Sequence, residues 1–426
     1  MKIKYSFAAL AVVIFSATIF AAGNSPEELA TRAADGSPDA VMAIRELRTM
    51  GPTGLDALFA RYTTEIAHFA SSGERSEKWD RVANALDTVA MQKDAYAAQL
   101  YWYTDLEEAK RAAKAQHKPI LTLRLLGNLN EEFSCANSRL FRAVLYPNAE
   151  VSKYLRDNYI LHWHSVRPAP RITIDFGDGR KIERTITGNS IHYILDDRGN
   201  IIDGLPGLYS PMAFLKYLKQ GRQVNKAVRN MADDQRLLAL NKYRKIAFDE
   251  ITTKRAKVVE TAEVKLTESQ SGTLAILAAP LAAAKMVVVD EASILRVYDD
   301  FAKFEPSIKF DDWQKLAKLY SPSQKLDANS TAFVRRQNVK TGLSEQEFDA
   351  LFAKLDSYVS LDTTRNDFIF HTKVYQWLNG QRTVGELEAF NAMVYDQIFQ
   401  TPHTDQWLGL YSSDVYTALD GNGIIK

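Results

Sequence analysis

Residues 118–139 read KPILTLRLLGNLNEEFSCANSR. A Lys-Pro pair opens an apolar run, Ile120 to Leu126, which predicts a buried strand bounded by turn signals. A polar loop follows, and Cys135 then stands at the start of a helical pattern that continues to about Leu145. The stretch therefore predicts a strand, a loop and a helix, with the cysteine at the mouth of the helix.

Helical and strand patterns alternate around this stretch, from Tyr101 to about Gln220. Upstream, Asp105 with Glu108 begins a helix. Downstream, the patterns predict a helix at 151–156, a strand at 159–166, a hairpin of 171–176 and 181–186 around Gly177-Asp178-Gly179, a second hairpin of 190–195 and 201–205, and a closing helix from Pro211. This alternation indicates an α/β domain.

Helical patterns flank the α/β domain on both sides. The chain has 426 residues, too many for one compact core. We therefore expect an α/β plus α protein, with a helical region at 24–100, the α/β domain at 101–221 and an all-helical domain at 222–426. In the last domain, we expect helices at 312–320, 345–358, 368–378 and 384–399.

The first 23 residues have the pattern of a cleaved signal peptide. Lys2 and Lys4 precede an apolar run, and Ala21, Ala22 and Gly23 follow it. We expect export to the periplasm or full secretion. The apolar segment 274–289 is interrupted by Pro280 and Lys285, so we interpret it as a buried helix and expect no membrane span in the mature chain.

The N-terminal helical region opens with a capping box, Ser25 with Glu28. Two further helices are predicted on either side of a Gly51-Pro52 break, from apolar positions Val41, Ile44, Leu47, Leu55, Leu58 and Phe59. This unit resembles a HEAT-type helical hairpin, although a small helical cap on the next domain would give the same pattern.

Charge and cysteine content narrow the function classes. The 53 basic and 52 acidic residues nearly cancel without a basic block, which argues against nucleic acid as a partner. The chain holds a single cysteine, Cys135, so it can form no internal disulfide in an oxidising compartment. That thiol is either buried and inert or reactive toward another molecule.

The order of elements resembles the thioredoxin-like superfamily. The local match is Phe133-Ser134-Cys135-Ala136-Asn137-Ser138-Arg139, at the place where that family has Trp-Cys-x-x-Cys-Lys. The resemblance implies that Cys135 replaces the attacking cysteine, Ser138 the resolving cysteine and Arg139 the basic residue after it. It covers about a quarter of the chain. Where the family has a cis-proline, this chain reads Thr187-Gly188-Asn189-Ser190-Ile191.

A catalytic role for Cys135, Ser138 and Arg139 has a physical basis. The first turn of a helix favours a thiolate, and Arg139 would act in the same direction. The thiolate could attack a disulfide and form a mixed disulfide, but this chain has no second thiol to release it. A buried structural cysteine, or a binding domain without redox chemistry, is the alternative.

Two histidines form a second candidate site. His162 and His164 are two apart on a predicted strand, so their imidazoles share a face and could chelate a metal if a third ligand such as His192 approached. In a thioredoxin-type sheet the strand of His192 would not be their neighbour, and two polar side chains on a solvated face explain the pattern as well. The sequence predicts neither a metal nor a cofactor.

The sequence leaves two functions open. One is an exported binding or scaffold module that holds other exported proteins, with aromatic side chains of the helical region on its surface (Trp377, Tyr395, Phe399, Trp407, Tyr411). The other is a monothiol disulfide oxidoreductase or isomerase that acts on exported proteins. His371 and His403 are expected to be satisfied packing residues.

Overall fold

A computed structural model describes residues 24–185, 188–264, 310–380 and 387–399, together with residues 401, 404, 406 and 424. The predicted signal peptide at 1–23 lies outside this part of the chain. The same holds for the apolar segment 274–289 and for His403, Trp407 and Tyr411.

The protein is a helix-rich α/β structure, which confirms the predicted fold class at this level. Its α-helices, in chain order, are α1 (Pro26–Arg32), α2 (Ala40–Thr49), α3 (Pro52–Arg61), α4 (Thr63–Ser72), α5 (Glu77–Ala90), α6 (Leu106–Gln116), α7 (Ala136–Leu140), α8 (Ala149–Asn158), α9 (Pro211–Val228), α10 (Asp233–Thr261), α11 (Phe310–Tyr320), α12 (Ala328–Gln337), α13 (Glu345–Arg365), α14 (Thr372–Gly380) and α15 (Leu387–Gln397). Single π-helical turns follow α7, at Phe141–Leu145, and α13, at Asn366–His371.

The strands form one five-stranded sheet and one separate hairpin. They are β1 (Trp102–Tyr103), β2 (Ile120–Leu126), β3 (Ile160–Arg167), β4 (Arg171–Asp175), β5 (Lys181–Thr185), β6 (Ser190–Leu195) and β7 (Ile201–Pro206). The main sheet has the order β1-β3-β2-β6-β7, in which β1 and β2 run parallel to β3, and β6 runs antiparallel to both β2 and β7. Strands β4 and β5 pair with each other.

Strand β2 is the centre of the sheet and is buried along its whole length. The helix before it, α6, begins where the Asp105 side chain accepts a hydrogen bond from the Glu108 N–H, and it ends at His117 in the left-handed conformation. Lys118-Pro119 then starts the strand, because proline cannot continue a helix. The apolar run thus enters the core directly after the turn.

Helices on both faces close the sheet into one large core. Side chains from β2, β3, β6 and β7 share this core with α9 and with the C-terminal helices α12 to α15. Helix α9 runs through the boundary expected near residue 221. The C-terminal helices are therefore continuous with the packing of the sheet. In the described part of the chain, no helix is both long enough and apolar enough to cross a bilayer.

The N-terminal helices enclose a separate core of 17 buried residues, among them Leu47, Leu55 and Trp79. Of the predicted apolar positions, Ile44 and Leu58 are buried as expected, but Val41 is 57% exposed. Helices α2 and α3 approach closely at Gly54. A Cβ atom placed there would lie 2.0 Å from the carbonyl oxygen of Leu47, so only glycine fits.

We predict that Gly54→Ala lowers the free energy of unfolding of the N-terminal helices by about 3 kcal/mol, the upper range for overpacking, because the backbone of Leu47 has to move. Thermal unfolding followed by circular dichroism measures the loss. The control is Thr53→Ala, which changes the exposed neighbour in the same helix and should leave stability nearly unchanged. Equal stability of the two variants would contradict the close approach.

Candidate functional site

Cys135 lies where the sequence predicted it, at the start of the helix that follows β2. Its backbone is extended rather than helical, and α7 begins at the next residue. The Cys135 N–H donates to the carbonyl of Leu126 at 3.0 Å, which ties the cysteine to the end of β2. The loop between them turns at Gly127, where φ is +72° and a side chain would crowd Ser134.

Ser138 is the neighbour of the thiol. The Cys135 Sγ is 3.4 Å from the Ser138 Oγ, and the Ser138 hydroxyl also donates to the Cys135 carbonyl at 2.8 Å. Arg139 instead donates from Nη2 to the hydroxyl of Thr185 at 2.9 Å, and Thr185 in turn donates to the carbonyl of Ser134. The structure thus brings Ser138 to the sulfur, while the described bond of Arg139 fastens the end of the β4–β5 hairpin to the cysteine segment.

The thiol of Cys135 is 0% exposed. Tyr146 and Tyr395 are close to it: burial raises the pKa of both phenols, and the nearby Cys135 adds to the rise. The Tyr146 hydroxyl is 2.8 Å from Nε2 of His192, and the Tyr395 hydroxyl donates to the carbonyl of Asn189 at 3.1 Å. Two buried phenols with fixed partners are therefore neighbours of the sealed sulfur.

The C-terminal helix α15 covers this end of the sheet. Glu388 forms an ion pair of 2.5 Å with Arg124, a guanidinium on β2 that is only 1% exposed. Asn391 accepts a hydrogen bond from Tyr193 on β6 at 3.2 Å. Beyond the helix, Thr401 accepts from the side chain of Asn189 at 3.2 Å. Residues 387–399 and Thr401 are consequently held against the strands that carry the cysteine loop.

The same contacts decide between two expectations for the aromatic residues. Tyr395 and Phe399 were candidates for a partner-binding surface, with burial in the core as the alternative; they are 2% and 3% exposed and pack edge to face against each other, so the core alternative holds for both. Trp377 is half-buried. Aromatic side chains of α15 thus belong to the core, where their large apolar area is removed from water.

The histidines of β3 differ in environment. His162 is 1% exposed, with Nδ1 2.7 Å from the Thr122 hydroxyl; burial, with help from Arg124, lowers its pKa to about 3. His164 is exposed. His192 lies on β6, which β2 separates from β3, as expected. Within the described residues, no three His, Cys, Asp or Glu side chains are arranged to hold a metal ion.

All peptide bonds of the described residues are trans, including the one between Ser190 and Ile191. Two surface clefts, of about 420 and 560 Å³, lie away from the thiol. The smaller one adjoins α5 and includes Arg75 and Asp87, and the larger one lies between α8 and α9 and includes Met212. Neither is lined by Cys135.

A buried charge network, which the sequence analysis missed, joins the sheet to the C-terminal helices. His371 is fully buried, with Nε2 2.7 Å from Asp203 on β7 and Nδ1 3.2 Å from Asp367. Four tyrosine hydroxyls donate to the two carboxylates: Tyr243 and Tyr375 to Asp203, and Tyr217 and Tyr320 to Asp367. We call these seven side chains the His371 network.

Charge balance explains how this network remains ionised in the core. Burial opposes the charged imidazole, but the carboxylates of Asp203 and Asp367 outweigh it and raise the pKa of His371 to about 9. Burial also opposes the charge of Asp203, yet His371 and Tyr375 hold its pKa below the usual value. His371 is thus a packing residue, as expected, but it is also a buried cation.

Two sequence signals could have revealed the His371 network. Asp203 interrupts a strand of otherwise apolar and small residues, and an acidic residue in a buried strand requires a partner. Asp367 and His371 are four apart, so they lie on one face of a helix. The π-helical turn at Asn366–His371 contains both, and such turns occur frequently at functional sites.

Comparison with known proteins identifies no homologue of this chain. No family model matches the chain, and neither a curated protein nor a solved structure is significantly similar to it.

We predict that stability falls as pH rises from about 6.5 through about 9. His371 binds its proton more tightly in the folded state than in the unfolded state, where the pKa is 6.5, so its contribution is complete below pH 6.5 and lost above pH 9. The shift corresponds to about 3 kcal/mol. Urea unfolding measured at pH 6, 7.5 and 9 checks it.

His371→Asn should remove this alkaline decline and lower the stability at pH 6. The control is His192→Asn. Burial lowers the pKa of His192 to about 3, so its contribution is complete above pH 6.5 and is lost as pH falls toward 3. The alkaline decline should persist in that variant. An unchanged slope in His371→Asn would show that another group causes the decline.

Proposed function

We propose that this protein is an exported binding or scaffold module, built on a thioredoxin-like domain, in which Cys135 is a structural thiol. The partners would be other exported proteins. One observation carries the proposal: the only sulfhydryl of the chain is 0% exposed and belongs to the same buried core as Tyr395 of α15. A disulfide substrate has to reach a thiolate in line with its S–S bond, and a sealed sulfur offers no such approach.

The sheet supports the thioredoxin-like part of the proposal. In chain order, β2 is followed by the helix that starts at Cys135, then by α8, β3, the β6–β7 hairpin and the closing helix α9. This is the order on which the resemblance depends. The separation of β3 from β6 by β2 also agrees with a thioredoxin-type sheet. The free-standing hairpin β4–β5 lies between β3 and β6 as an additional element.

The surroundings of the thiol support a structural role. Its nearest polar partner is a serine hydroxyl at 3.4 Å, and the adjacent phenols are committed to His192 and Asn189. Buried free cysteines usually behave as small apolar side chains. A hydrogen bond of Arg139 goes to Thr185, where it holds the end of the β4–β5 hairpin beside the cysteine segment.

The alternative function is a monothiol oxidoreductase or isomerase, and one observation favours it. Cys135 precedes the first helical residue, so the N–H groups of the first turn of α7 face the segment that carries the thiol, an arrangement that favours thiolates in proteins. The thiolate would attack a disulfide of another exported protein, form a mixed disulfide and release one substrate thiolate. A thiol of a second molecule would then have to free Cys135. This activity requires α15 to move away.

Alkylation of the single thiol separates the two functions. We predict that iodoacetamide modifies Cys135 at least about a hundredfold more slowly in the folded protein than in urea, because reaction requires local opening. Mass spectrometry gives the rate directly, since no other cysteine reacts. Tyr395→Ala should accelerate modification, whereas Tyr62→Ala, an equally buried tyrosine in the N-terminal core, should not.

Rapid modification of the folded wild type, with a midpoint well below pH 8.5, would exclude the structural role and favour the oxidoreductase. Slow modification that Tyr395→Ala leaves unchanged would show that another part of the chain seals the thiol.

A second variant tests the thioredoxin-like geometry that both functions share. We predict that Ser138→Cys forms a disulfide with Cys135 on mild oxidation, because the present 3.4 Å between Sγ and Oγ needs only a small shift to reach an S–S bond of about 2.05 Å. Intact-mass analysis detects the loss of two hydrogens. Ser134→Cys is the control: adjacent Cα atoms are about 3.8 Å apart, too close for ordinary disulfide geometry. Failure of Ser138→Cys to oxidise would contradict the geometry.

A further inference from the structure

The β4–β5 hairpin stands apart from the main sheet. In the described part of the chain, each of its strands pairs only with the other, and most of its residues are exposed. One face carries Ile172, Ile174, Ile182 and Phe176 beside Arg184 and Arg180 and is partly open to solvent; Ile182 is 37% exposed and Phe176 is 51% exposed. A two-stranded hairpin is marginally stable alone, so further pairing would stabilise it.

The backbone of β4 presents a free edge. The Phe176 N–H donates to the Arg180 carbonyl at 3.1 Å, which makes this pair a hydrogen-bonded one. Hydrogen-bonded and non-hydrogen-bonded pairs alternate along an antiparallel ladder. The N–H and C=O groups of Arg171, Thr173 and Asp175 therefore point away from β5, toward the side where the described structure has no further strand.

The side chains of this edge are complementary to themselves. If a second β4 pairs antiparallel about Thr173, Arg171 of each copy lies opposite Asp175 of the other, and Ile172 lies opposite Ile174. The outward N–H and C=O groups then fall into hydrogen-bonded pairs. In both pairs a positive side chain, Arg171, faces a negative one, Asp175, which is a favourable cross-strand arrangement. A parallel pairing in register would instead place Arg171 opposite Arg171 and Asp175 opposite Asp175.

The edge of β5 lacks this property. Antiparallel self-pairing about its central residue would place Glu183 opposite Glu183 and Ile182 opposite Arg184. Like charges directly opposite each other are destabilising. The two edges of the hairpin thus differ in their capacity to accept a second copy.

We infer that the β4 edge is a docking surface for a second copy of this chain. The two hairpins form a four-stranded antiparallel sheet with twofold symmetry, in the order β5-β4-β4-β5. Its apolar face joins the isoleucines of both copies into one strip. In addition, Phe176 of each copy lies opposite Pro170, which has no N–H and can occupy a position of the ladder that needs no donor.

The charges form a continuous ladder in this assembly. Within one hairpin, Arg171 pairs with Glu183 at 3.3 Å and Asp175 pairs with Lys181 at 2.8 Å. Across the twofold axis, each Arg171 gains a second acidic neighbour, Asp175 of the other copy. Positive and negative side chains therefore alternate over the four strands. The contact is small compared with stable dimer interfaces of about 1,600 Å², so the dimer forms weakly and in a concentration-dependent manner.

Sedimentation velocity of the full chain, from micromolar to several hundred micromolar, measures this dimer. Thr173→Pro removes an outward N–H without removing a bond of the hairpin and should weaken association at least about tenfold. Glu183→Pro is the matched control: it removes the equivalent outward N–H from β5 together with an ion pair inside the hairpin, and it should weaken association clearly less than Thr173→Pro. Association that is insensitive to Thr173→Pro, or a monomer at every concentration, would overturn the inference.

A charge exchange separates pairing from a merely structural effect. Arg171→Asp places two acidic residues opposite each other across the axis and should weaken the dimer, whereas Arg171→Asp combined with Asp175→Arg restores opposite charges and should recover most of it. Inside one hairpin, the single variant places an acidic residue beside Glu183, and the double variant also places a basic residue beside Lys181. The double variant therefore has more like-charge contacts within the hairpin, so recovery of the dimer can only come from the pairing between copies. A double variant that dimerises less than the single one would contradict the proposed pairing.

Discussion

The bridge from Asp203 through His371 to Asp367 holds the sheet and the C-terminal helices together. Asp203 lies on β7, while the other two residues belong to the π turn after α13. All three are buried, and hydroxyl groups from α9, α10, α11 and α14 complete their hydrogen bonds. Removal of the His371 cation would leave two carboxylates close together without a positive partner in the core, which costs several kcal/mol. The arrangement therefore fixes where five helical elements meet the sheet.

Helix α15 packs in the same core as the helices that meet at this junction. The helix follows α14 in the chain and lies across the opposite end of the strands, where Glu388 pairs with Arg124 and Tyr395 bonds to Asn189. Because α15 contributes to the cover of the thiol, the state of Cys135 is linked to the attachment of the whole C-terminal region. The buried charges and the buried sulfur are thus two parts of one packing arrangement, although no described contact joins them directly.

The local sequence pattern was sufficient to predict the helices and strands around Cys135, but it did not predict which residues surround the thiol. The strand at Ile120–Leu126 and the hairpin around Gly177-Asp178-Gly179 follow from periodicity and turn chemistry, and Cys135 was predicted at a helix start for the same reason. What covers the cysteine comes from far along the chain: Tyr395 is 206 residues beyond its partner Asn189.

The same limit explains the other differences. Asp203 and His371 are 168 residues apart, so neither reveals the other in a local window. Val41 satisfies the helical period of α2 but lies beyond the side that α3 and α5 cover, and it is more than half exposed. Arg139 was expected to support a thiolate through its place in the first turn, whereas its hydrogen bond to Thr185 depends on a hairpin about 45 residues later.

The burial of Cys135 also determines when the thiol can react during the life of the chain. Before folding, the sulfhydryl is open to any oxidant or foreign thiol. Completion of the fold ends this interval, since Cys135 is then 0% exposed. Because its neighbour Tyr395 lies far along the chain, the thiol is protected from covalent cross-linking only once that distant part of the chain has packed.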